Sequence, residues 1–345
     1  MPLNKRHPLY QEDLKYILST PGTDSLKGRT VLVTGATGLI GTQLVDALML
    51  LGGVRVIACG RSRAKAEARL GEYFGAEAFR FLEQDVCKPL EVEERIGWKP
   101  DYIIPLASNT HPLAYSQYPV ETMLTNIQGA RYALELAAQS GAVVLYPSSV
   151  EIYGNARGGD NFTEEYTGAL NLSNARSCYT ESKRSAEALC QSFAAEKGVD
   201  ARIVRLSRVF GPTMLESDTK ASSQFIGKVL KGEDIVLKSN GEQYFSYTYV
   251  ADAVAAILFV MLHGECGQAY NISCEGCDVR LKDFAQACAQ LCGRKVVFDI
   301  PEETESRGYS VATRAILSNE KLRNLGFTPR FALKEALERT IEIIK

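Results

Sequence analysis

Thr30-Val-Leu-Val-Thr-Gly-Ala-Thr-Gly-Leu-Ile-Gly41 is the stretch that decides the fold of this 345-residue chain. A β-branched apolar run leads through three glycines into a helical pattern. Glycine permits a tight turn and a close approach of the backbone to a ligand, and the free N–H groups of the following helix favour an anion. We therefore predict that this turn binds the pyrophosphate of a dinucleotide. The predicted contacts are Gly35, Thr37, Gly38, Leu39, Ile40 and Gly41.

Short apolar runs alternate with helical segments along the first part of the chain. The runs predicted to be strands are Thr30–Thr34, Val54–Cys59, Phe79–Leu82, Tyr102–Ala107, Ala142–Tyr146 and Ala201–Leu206. The segments predicted to be helices are Leu39–Leu51, Ala64–Phe74, Val120–Gln139 and Tyr179–Lys197. This alternation is typical of a parallel sheet covered on both faces. The sequence therefore predicts an α/β fold, a doubly wound parallel-sheet Rossmann fold.

Three regions of the chain differ in their patterns. Residues 1–27 read as an N-terminal extension with a short amphipathic helix, and residues 28–210 as the Rossmann dinucleotide-binding domain. Residues 211–345 are too few for a second large core, so we expect mainly a smaller C-terminal substrate lobe, with segments that return to the Rossmann core. Such a lobe would lie on the C-terminal ends of the strands, where doubly wound folds bind ligands. Helices are predicted near Gln224–Lys231, Ala251–Leu262, Leu281–Leu291 and Leu333–Ile344.

The composition narrows the class of protein. A formal net charge of −2 gives no electrostatic reason to expect binding to nucleic acid or to an anionic membrane. No stretch approaches the roughly 18 apolar residues of a membrane span, and the N-terminus lacks the apolar core of a signal peptide, so a cytoplasmic location is expected. The nine cysteines are an odd number spread along the chain, and Cys274 and Cys277 have no histidine nearby. We therefore expect reduced thiols and no metal site.

The end of the second predicted strand bears on which dinucleotide binds. An acidic residue there accepts the ribose hydroxyls of NAD, whereas an arginine accommodates the 2′-phosphate of NADP. The sequence after Cys59 contains no acid, so Arg61 favours NADP over NAD; alternatively, Arg61 is solvated at the start of a helix or stacks on the adenine. Asp85 and Val86 follow the third strand, and we expect Asp85 to reach the adenine edge unless it is a solvated loop residue.

A serine pair and a tyrosine–lysine pair carry the predicted chemistry. The fifth strand leads into Ser148 and Ser149, and Tyr179 precedes Lys183 by four residues, which places phenol and ammonium on one helix face. A nearby cation lowers the pKa of a tyrosine toward the range that a general base needs. The serine hydroxyl can hydrogen-bond a substrate alcohol while the tyrosinate removes its proton. Loss of a hydride to a nicotinamide then completes oxidation to a ketone.

These motifs resemble those of the extended short-chain dehydrogenase/reductase superfamily, in its nucleotide-sugar epimerase/dehydratase branch, over residues 28–345. The resemblance implies that Ser149, Tyr179 and Lys183 are the catalytic triad and that Lys183 also holds the nicotinamide ribose. Asn126 matches the structural active-site asparagine of the family. The remaining cofactor contacts that the resemblance implies are Leu106, Ala107, Ser108 and Ser148, together with Tyr179.

Within that branch the chain is most similar to UDP-glucuronate decarboxylases, with sugar-nucleotide 4,6-dehydratases next. The segments that carry this similarity are Leu106–Pro112, Arg176–Arg184, Phe210–Met214 and Tyr249–Val254. Glu151 matches a glutamate that both groups carry. Once carbon 4 of the sugar is a ketone, the proton or carboxylate on carbon 5 becomes labile, and a carboxylate beside it can steer elimination or decarboxylation. The resemblance therefore implies a catalytic role for Glu151.

Five positions bear on the substrate. Val150 stands where dehydratases carry an acid and decarboxylases a small hydroxyl residue, which disfavours 4,6-dehydration. Thr213 and Phe245 stand where decarboxylases have arginines. Arg208 replaces an asparagine that contacts the nucleotide sugar and offers a cation in its place, and Arg314 matches a late arginine that contacts the diphosphate. We expect Arg208 and Arg314 to bind the substrate, whose carrier is left open among UDP, dTDP, CDP and GDP.

We therefore expect an NAD(P)-dependent enzyme that oxidises a nucleotide sugar at carbon 4, similar to a UDP-glucuronate decarboxylase. The alternatives are a 4-epimerase, a 4,6-dehydratase and an NADPH-dependent reductase. A non-catalytic dinucleotide-binding protein on the same fold is an alternative of another class, since fold does not dictate function. The family resemblance also implies a homodimer, formed through the helices over Val120–Gln139 and Tyr179–Lys197.

Overall fold

The computed structural model describes residues 3–110, 112–156, 159, 161–300 and 313–345. Its strands are β1 (Thr30–Thr34), β2 (Arg55–Gly60), β3 (Phe79–Glu83), β4 (Tyr102–Pro105), β5 (Val143–Ser149), β6 (Ala201–Leu206), β7 (Arg208–Phe210), β8 (Ile235–Leu237), β9 (Tyr244–Tyr249), β10 (Ala269–Ile272), β11 (Asp278–Arg280), β12 (Val296–Phe298) and β13 (Arg314–Ala315). Its helices are α1 (Pro8–Leu18), α2 (Leu39–Leu51), α3 (Arg63–Leu70), α4 (Val92–Ile96), α5 (Pro112–Gln117), α6 (Pro119–Ser140), α7 (Ser177–Lys197), α8 (Ala221–Leu230), α9 (Val250–His263), α10 (Leu281–Leu291), α11 (Glu320–Leu325) and α12 (Leu333–Ile344).

A seven-stranded sheet with the order β10-β6-β5-β4-β1-β2-β3 forms the centre of the molecule. All of its strand pairs are parallel; Val31 of β1, for example, is paired with Val56 of β2 on one side and with Tyr102 of β4 on the other. The strand order reverses between β1 and β4, and such a reversal opens a crevice at the carboxyl ends of the strands. The predicted doubly wound parallel sheet is confirmed.

Helices cover both faces of this sheet because successive residues of a strand point to opposite sides. Val31 and Val33 lie in one buried cluster with Leu44 of α2. Leu32 lies in a second buried cluster with Leu134 of α6. The continuous apolar run in β1 therefore reflects burial on two faces, as the sequence indicated.

Several boundaries differ from the prediction, and two of them bear on the sheet and its helices. The fifth strand continues beyond Tyr146 as far as Ser149, which is paired with Leu206 at the end of β6. The helix predicted to reach Phe74 ends at Leu70 and gives way to a 3₁₀ turn over Gly71–Tyr73. Glycine has a low helix propensity, which accounts for the early end.

The N-terminal extension packs into the core through α1. Tyr16 donates a hydrogen bond of 2.6 Å to Asp252 at the start of α9. Asp13 accepts hydrogen bonds from Arg339 of α12 at 2.8 Å and from the hydroxyl of Tyr249 at 2.5 Å. Residues separated by more than 200 positions thus meet around α1, and they tie both ends of the chain together.

The strands of the second part form a small lobe above the carboxyl ends of the central strands. There β9 pairs with β7, β11 and β13, and β8 pairs with β12. The chain also returns to the central sheet, because β10 pairs in parallel with β6. Within the described ranges, no helix has the length and apolar character needed to cross a membrane.

Candidate active site

A cleft of about 2110 Å³ lies between the central sheet and the small lobe. Most of the residues that the sequence singled out line it together. They are Gly35, Thr37, Gly38, Leu39, Ile40, Gly41, Arg61, Asp85, Val86, Leu106, Ala107, Ser108, Ser148, Ser149, Glu151, Tyr179 and Arg208. Asn126, Lys183 and Arg314 are not among the lining residues.

The glycine turn packs directly against the loop that follows β4. Gly35 has a φ of +64°, and a Cβ at this position would lie 2.7 Å from the backbone nitrogen of Ala107. A Cβ at Gly41 would lie 2.8 Å from the Cα of Ala36. Thr34 completes the contact by accepting a 3.2 Å hydrogen bond from the Ala107 N–H. The turn therefore has room for backbone only, and α2 begins directly after it, which fits a dinucleotide pyrophosphate.

Ser149, Tyr179 and Lys183 come together where β5 ends beside α7. Lys183 is buried and donates a 2.7 Å hydrogen bond to the Pro147 carbonyl, with its Nζ 6.0 Å from the centroid of the Tyr179 ring. Tyr115 of α5 stacks on Tyr179 with ring centroids 4.7 Å apart. The serine hydroxyl, the phenol and the ammonium therefore share one corner of the cleft.

Burial dominates the electrostatics of this corner. It raises the pKa of Tyr179 to about 12, although hydrogen bonds with Ser149 and Tyr115 act in the opposite direction. Burial also lowers the pKa of Lys183 to about 8. The lysine was expected to lower the tyrosine pKa; in the structure burial is the largest influence and raises that pKa, because the charged phenolate is poorly stabilised away from water.

Asn126 connects the loop after β4 to α7 through side-chain hydrogen bonds. It accepts a 2.6 Å hydrogen bond from Ser108 and donates a 2.8 Å hydrogen bond to the hydroxyl of Ser182. Ser182 in turn donates to the Tyr179 carbonyl at 2.9 Å. The buried Ser148 hydroxyl, near the end of β5, has no hydrogen-bond partner among the described residues. It can therefore form a hydrogen bond with a ligand.

Glu151 lies between two arginines. Arg176 Nη2 is 3.3 Å from Glu151 Oε2, and Arg208 Nη2 is 3.6 Å from Glu151 Oε1. The backbone N–H of Glu151 donates a 3.3 Å hydrogen bond to the Ser149 hydroxyl. The carboxylate thus sits next to the predicted catalytic serine and is held by cations on both sides.

The far end of the cleft contains the predicted adenosine contacts. Arg61 forms an exposed 2.8 Å ion pair with Glu121. Lys65, which is close to Arg61 in the sequence, also lines the cleft. Asp85 accepts a 3.0 Å hydrogen bond from the Cys87 N–H, which fixes the loop after β3. No carboxylate ends β2 itself, as the sequence shows.

The remaining predicted positions lie at the edges of the site. Arg314 donates a 2.7 Å hydrogen bond to Asn161 and is stacked on Tyr244 at 5.2 Å. In the described parts of the chain no group of three or more His, Cys, Asp or Glu side chains is arranged to hold a metal ion. Cys274 and Cys277 both donate hydrogen bonds of 3.3 Å to the Phe331 carbonyl.

Sequence reasoning assigned no role to Arg176 or Tyr115. Arg176 precedes Tyr179 by three residues, so helical spacing at the start of α7 is a signal that could have found it. Tyr115 approaches Tyr179 only through the packing of α5, and no local pattern in the sequence marks it.

Residues 31–273 match the sequence model of the NAD dependent epimerase/dehydratase family. UDP-glucuronic acid decarboxylase 6 of Arabidopsis thaliana is 32% identical over 89% of this chain and 86% of its own length. UDP-glucuronic acid decarboxylase 1 of Xenopus tropicalis is 29% identical over 92% of this chain and 72% of its own length.

Solved structures agree with these sequence relatives. The UDP-glucose 4-epimerase of Thermotoga maritima, solved with UDP-glucose, has a TM-score of 0.78 and 25% identity, covering 91% of this chain and 98% of its own. An epimerase of Methanothermobacter thermautotrophicus has a TM-score of 0.80 and 22% identity, covering 98% of this chain and 96% of its own. The resemblance inferred from the motifs is confirmed, and the chain belongs to the NAD dependent epimerase/dehydratase family, as an enzyme that uses a nicotinamide dinucleotide.

Proposed function

We propose that this enzyme oxidises a nucleotide sugar at carbon 4 and then decarboxylates it, in the manner of a UDP-glucuronate decarboxylase. The observation that carries the proposal is that Ser149 and Tyr179 line one cleft with the glycine turn, while Lys183 is buried beside them and bonded to the Pro147 carbonyl. The decarboxylase relatives over most of the chain support the choice of substrate. Cations also support it, because eight Lys or Arg side chains and two Asp or Glu side chains line the cleft among the described residues.

Each member of the triad has a distinct task in this proposal. Ser149 hydrogen-bonds the carbon 4 hydroxyl and positions it, and Tyr179 takes the hydroxyl proton. Lys183 anchors the end of β5 through the Pro147 carbonyl and brings its positive charge beside the phenol, where it favours the phenolate. When bound, the nicotinamide supplies the acceptor for the two electrons of the alcohol.

The residues of the glycine turn would hold the dinucleotide. Gly35 and Gly41 allow the turn to pack tightly, and the free N–H groups at the start of α2 would bind the pyrophosphate; the unpartnered Ser148 hydroxyl would contact the nicotinamide half. Arg61 and Lys65 support NADP over NAD, because they offer cations and no acid ends β2. Release of the bound cofactor and its identification by mass tests this choice, and NAD alone would contradict it.

The step after the oxidation depends on what stands beside carbon 5. A ketone at carbon 4 can accept the electron pair of the bond between carbon 5 and its carboxylate, and carbon dioxide leaves. Val150 is buried at the cleft wall and cannot protonate a leaving hydroxyl, which disfavours 4,6-dehydration. Epimerisation and NADPH-dependent reduction are the second candidates, because the triad serves both.

Incubation with a panel of nucleotide sugars tests the proposal. We expect UDP-glucuronate to lose carbon dioxide. A product lighter by one CO₂ in mass spectrometry shows that carbon 4 is reduced again after the decarboxylation, and a product lighter by one CO₂ and two hydrogens shows that the 4-ketone is released. Conversion without a change of mass would indicate epimerisation instead, and a gain of two hydrogens at the expense of NADPH would indicate reduction. An intact cofactor site with no turnover of any nucleotide sugar would contradict the whole proposal.

A further inference from the structure

Arg176, Glu151 and Arg208 form a charged cluster in the wall of the cleft. The two arginines contact different oxygens of the same carboxylate, at 3.3 Å and 3.6 Å. Their side chains are 15% and 19% exposed, and that of Glu151 is 23% exposed. Two guanidinium groups share one carboxylate, so the cluster has a net charge of +1. It lies in a region with little solvent to screen that charge.

Both arginines keep an unused donor. The Nη1 of Arg208 and the Nε of Arg176 are buried, and neither has a hydrogen-bond partner within the described residues. A buried donor without a partner is costly, and in native structures it often marks the place of a ligand. The charge and the unused donors both indicate an anion that accepts several hydrogen bonds.

Aromatic rings hold the two guanidinium groups in place. The Cζ of Arg208 lies 3.4 Å from the ring centroid of Phe245, and the Cζ of Arg176 lies 4.5 Å from that of Tyr115. Stacking of this kind orients the planar fork without consuming its N–H groups. The same Tyr115 stacks on Tyr179, so the cluster is continuous with the catalytic corner.

The position of the cluster decides between two anions of a nucleotide sugar. Arg176 packs on the ring of Tyr115, which in turn stacks on Tyr179, and the Glu151 backbone N–H donates to the Ser149 hydroxyl, so the cluster adjoins the residues proposed to act at carbon 4. In a pyranose ring, carbon 5 is bonded to carbon 4, whereas carbon 1, which bears the diphosphate, lies on the opposite side of the ring. A carboxylate on carbon 5 is therefore the closer of the two anions to the arginine pair.

We propose that Arg208, with Arg176, binds the carboxylate that a uronate sugar carries on carbon 5. The inference rests on the proposed function and deepens it by naming the residues that select an acidic sugar over a neutral one. With the substrate carboxylate bound, two guanidinium groups face two carboxylates and the charges of the cluster balance. Arg208 is then a specificity-determining residue of this chain, and Phe245 is its support.

Binding of UDP-glucuronate, UDP-glucose and UDP is measured by calorimetry with the cofactor-loaded Tyr179→Phe protein, in which turnover is blocked. Adding Arg208→Gln should weaken UDP-glucuronate by about tenfold or more, because a charge-assisted hydrogen bond is lost, and should leave UDP-glucose and UDP nearly unchanged. Adding Glu151→Gln should instead tighten UDP-glucuronate, because a competing carboxylate is removed. Arg323→Gln is the control, because Arg323 forms an exposed ion pair with Glu275 and does not line the cleft, so it should leave the preference unchanged.

The opposite signs of the two variants separate ligand binding from a structural role. Equal weakening of all three ligands by Arg208→Gln would place Arg208 on the diphosphate and overturn the inference, as would weaker UDP-glucuronate binding in both variants. If Arg208→Gln fails to fold, Arg208→Lys, which keeps the charge without the fork, should show a smaller loss for UDP-glucuronate alone. Failure to bind any of the three ligands would instead refute the proposed function itself.

Discussion

Tyr179 shows how much a side chain depends on its surroundings. The sequence places it four residues before Lys183, and the structure adds the stack of Tyr115 and the burial that raises its pKa to about 12. A buried phenol with this pKa stays protonated at neutral pH. In the proposed mechanism Tyr179 therefore acts as a base only when the filled cleft stabilises the phenolate, which would couple proton removal to binding.

Replacement of the tyrosine tests its role directly. Tyr179→Phe should lower kcat by a factor on the order of 10² to 10⁴, because proton transfer is lost, while dinucleotide binding is kept. Tyr115→Phe is the matched variant, since it keeps the stack and removes only a hydroxyl that bonds Tyr179, and we expect a much smaller loss. Steady-state kinetics with UDP-glucuronate checks both, and comparable losses would contradict the assignment of the base.

Gly35 offers a test of the pyrophosphate turn. Gly35→Ala forces a side chain onto a φ of +64° and to within 2.7 Å of the Ala107 nitrogen. We expect weaker dinucleotide binding and a loss of stability on the order of 1–3 kcal/mol. Gly227→Ala is the control, because no atom lies within 4 Å of the added Cβ. Calorimetry with NAD and NADP measures the binding, and thermal unfolding measures the stability. Normal dinucleotide binding by Gly35→Ala would refute the proposed pyrophosphate site at this turn.

Among the secondary-structure elements, α1 contributes more to the tertiary packing than its sequence pattern indicates. Its pattern predicts an amphipathic helix, but Asp13 of this helix is fully buried, and Tyr16 reaches the fully buried Asp252 of α9. Burial raises the pKa of both carboxyl groups to about 6. We therefore expect protonation of these two carboxyl groups to strengthen the packing of α1 against α9 and α12 as the pH falls through about 6.

The pH dependence of stability tests the buried Asp252. The pKa is higher in the folded chain, at about 6, than the ordinary value of 3.8, so its stabilising contribution is present below pH 4 and is lost as the pH rises through 6. The difference in unfolding free energy between the wild type and Asp252→Asn should therefore fall by up to about 3 kcal/mol from pH 4 to 7.

Urea unfolding at several pH values measures this difference. Tyr16→Phe removes a hydrogen bond that lowers the pKa of Asp252, so this variant should lose stability over a wider pH range than the wild type. A difference between wild type and Asp252→Asn that does not change with pH would show that the carboxyl group does not titrate in this window.

In the molecule as a whole, one cleft separates the central sheet from the small lobe, and we propose that the sheet side binds the dinucleotide and the lobe binds the substrate. Thr213 of the lobe region donates to the Leu39 carbonyl beside the glycine turn, and Arg69 of α3 donates to the Thr213 carbonyl at 2.5 Å. These bonds connect the second half of the chain to the start of α2. Substrate and cofactor thus face a cleft whose two walls are held together by hydrogen bonds.

An exposed apolar surface around α6 bears on assembly. Tyr118 is 57% exposed, Val120 70% and Leu124 44%. We propose that this surface forms the homodimer contact implied by the family resemblance. A Val120→Asp/Leu124→Glu double variant should shift the mass in light scattering from dimer to monomer, because charges would be buried in an apolar contact. Leu50→Glu, at a similarly exposed leucine of α2, is the control; a wild-type monomer would refute the dimer.

Local patterns were sufficient to predict the sheet, the glycine turn and the candidate residues Ser149, Tyr179 and Lys183. The run from Thr30 to Gly41 determines a strand, a turn and a helix because only neighbours along the chain are involved. The spacing of Tyr179 and Lys183 determines a shared helix face for the same reason. Ser149 could be recognised because a strand end is marked by its own sequence.

Tertiary structure alone decided what surrounds these residues. It brought Arg208 of β7 and Arg176 of α7 to Glu151, placed Tyr115 on Tyr179, and buried Tyr179 so that its pKa rises. The two residues of each of these contacts are far more than one helical turn apart along the chain. Only Arg176 and Tyr179 are close to each other in sequence. Desolvation and long-range charge pairing depend on which distant segments pack together, and a local pattern contains no record of that packing.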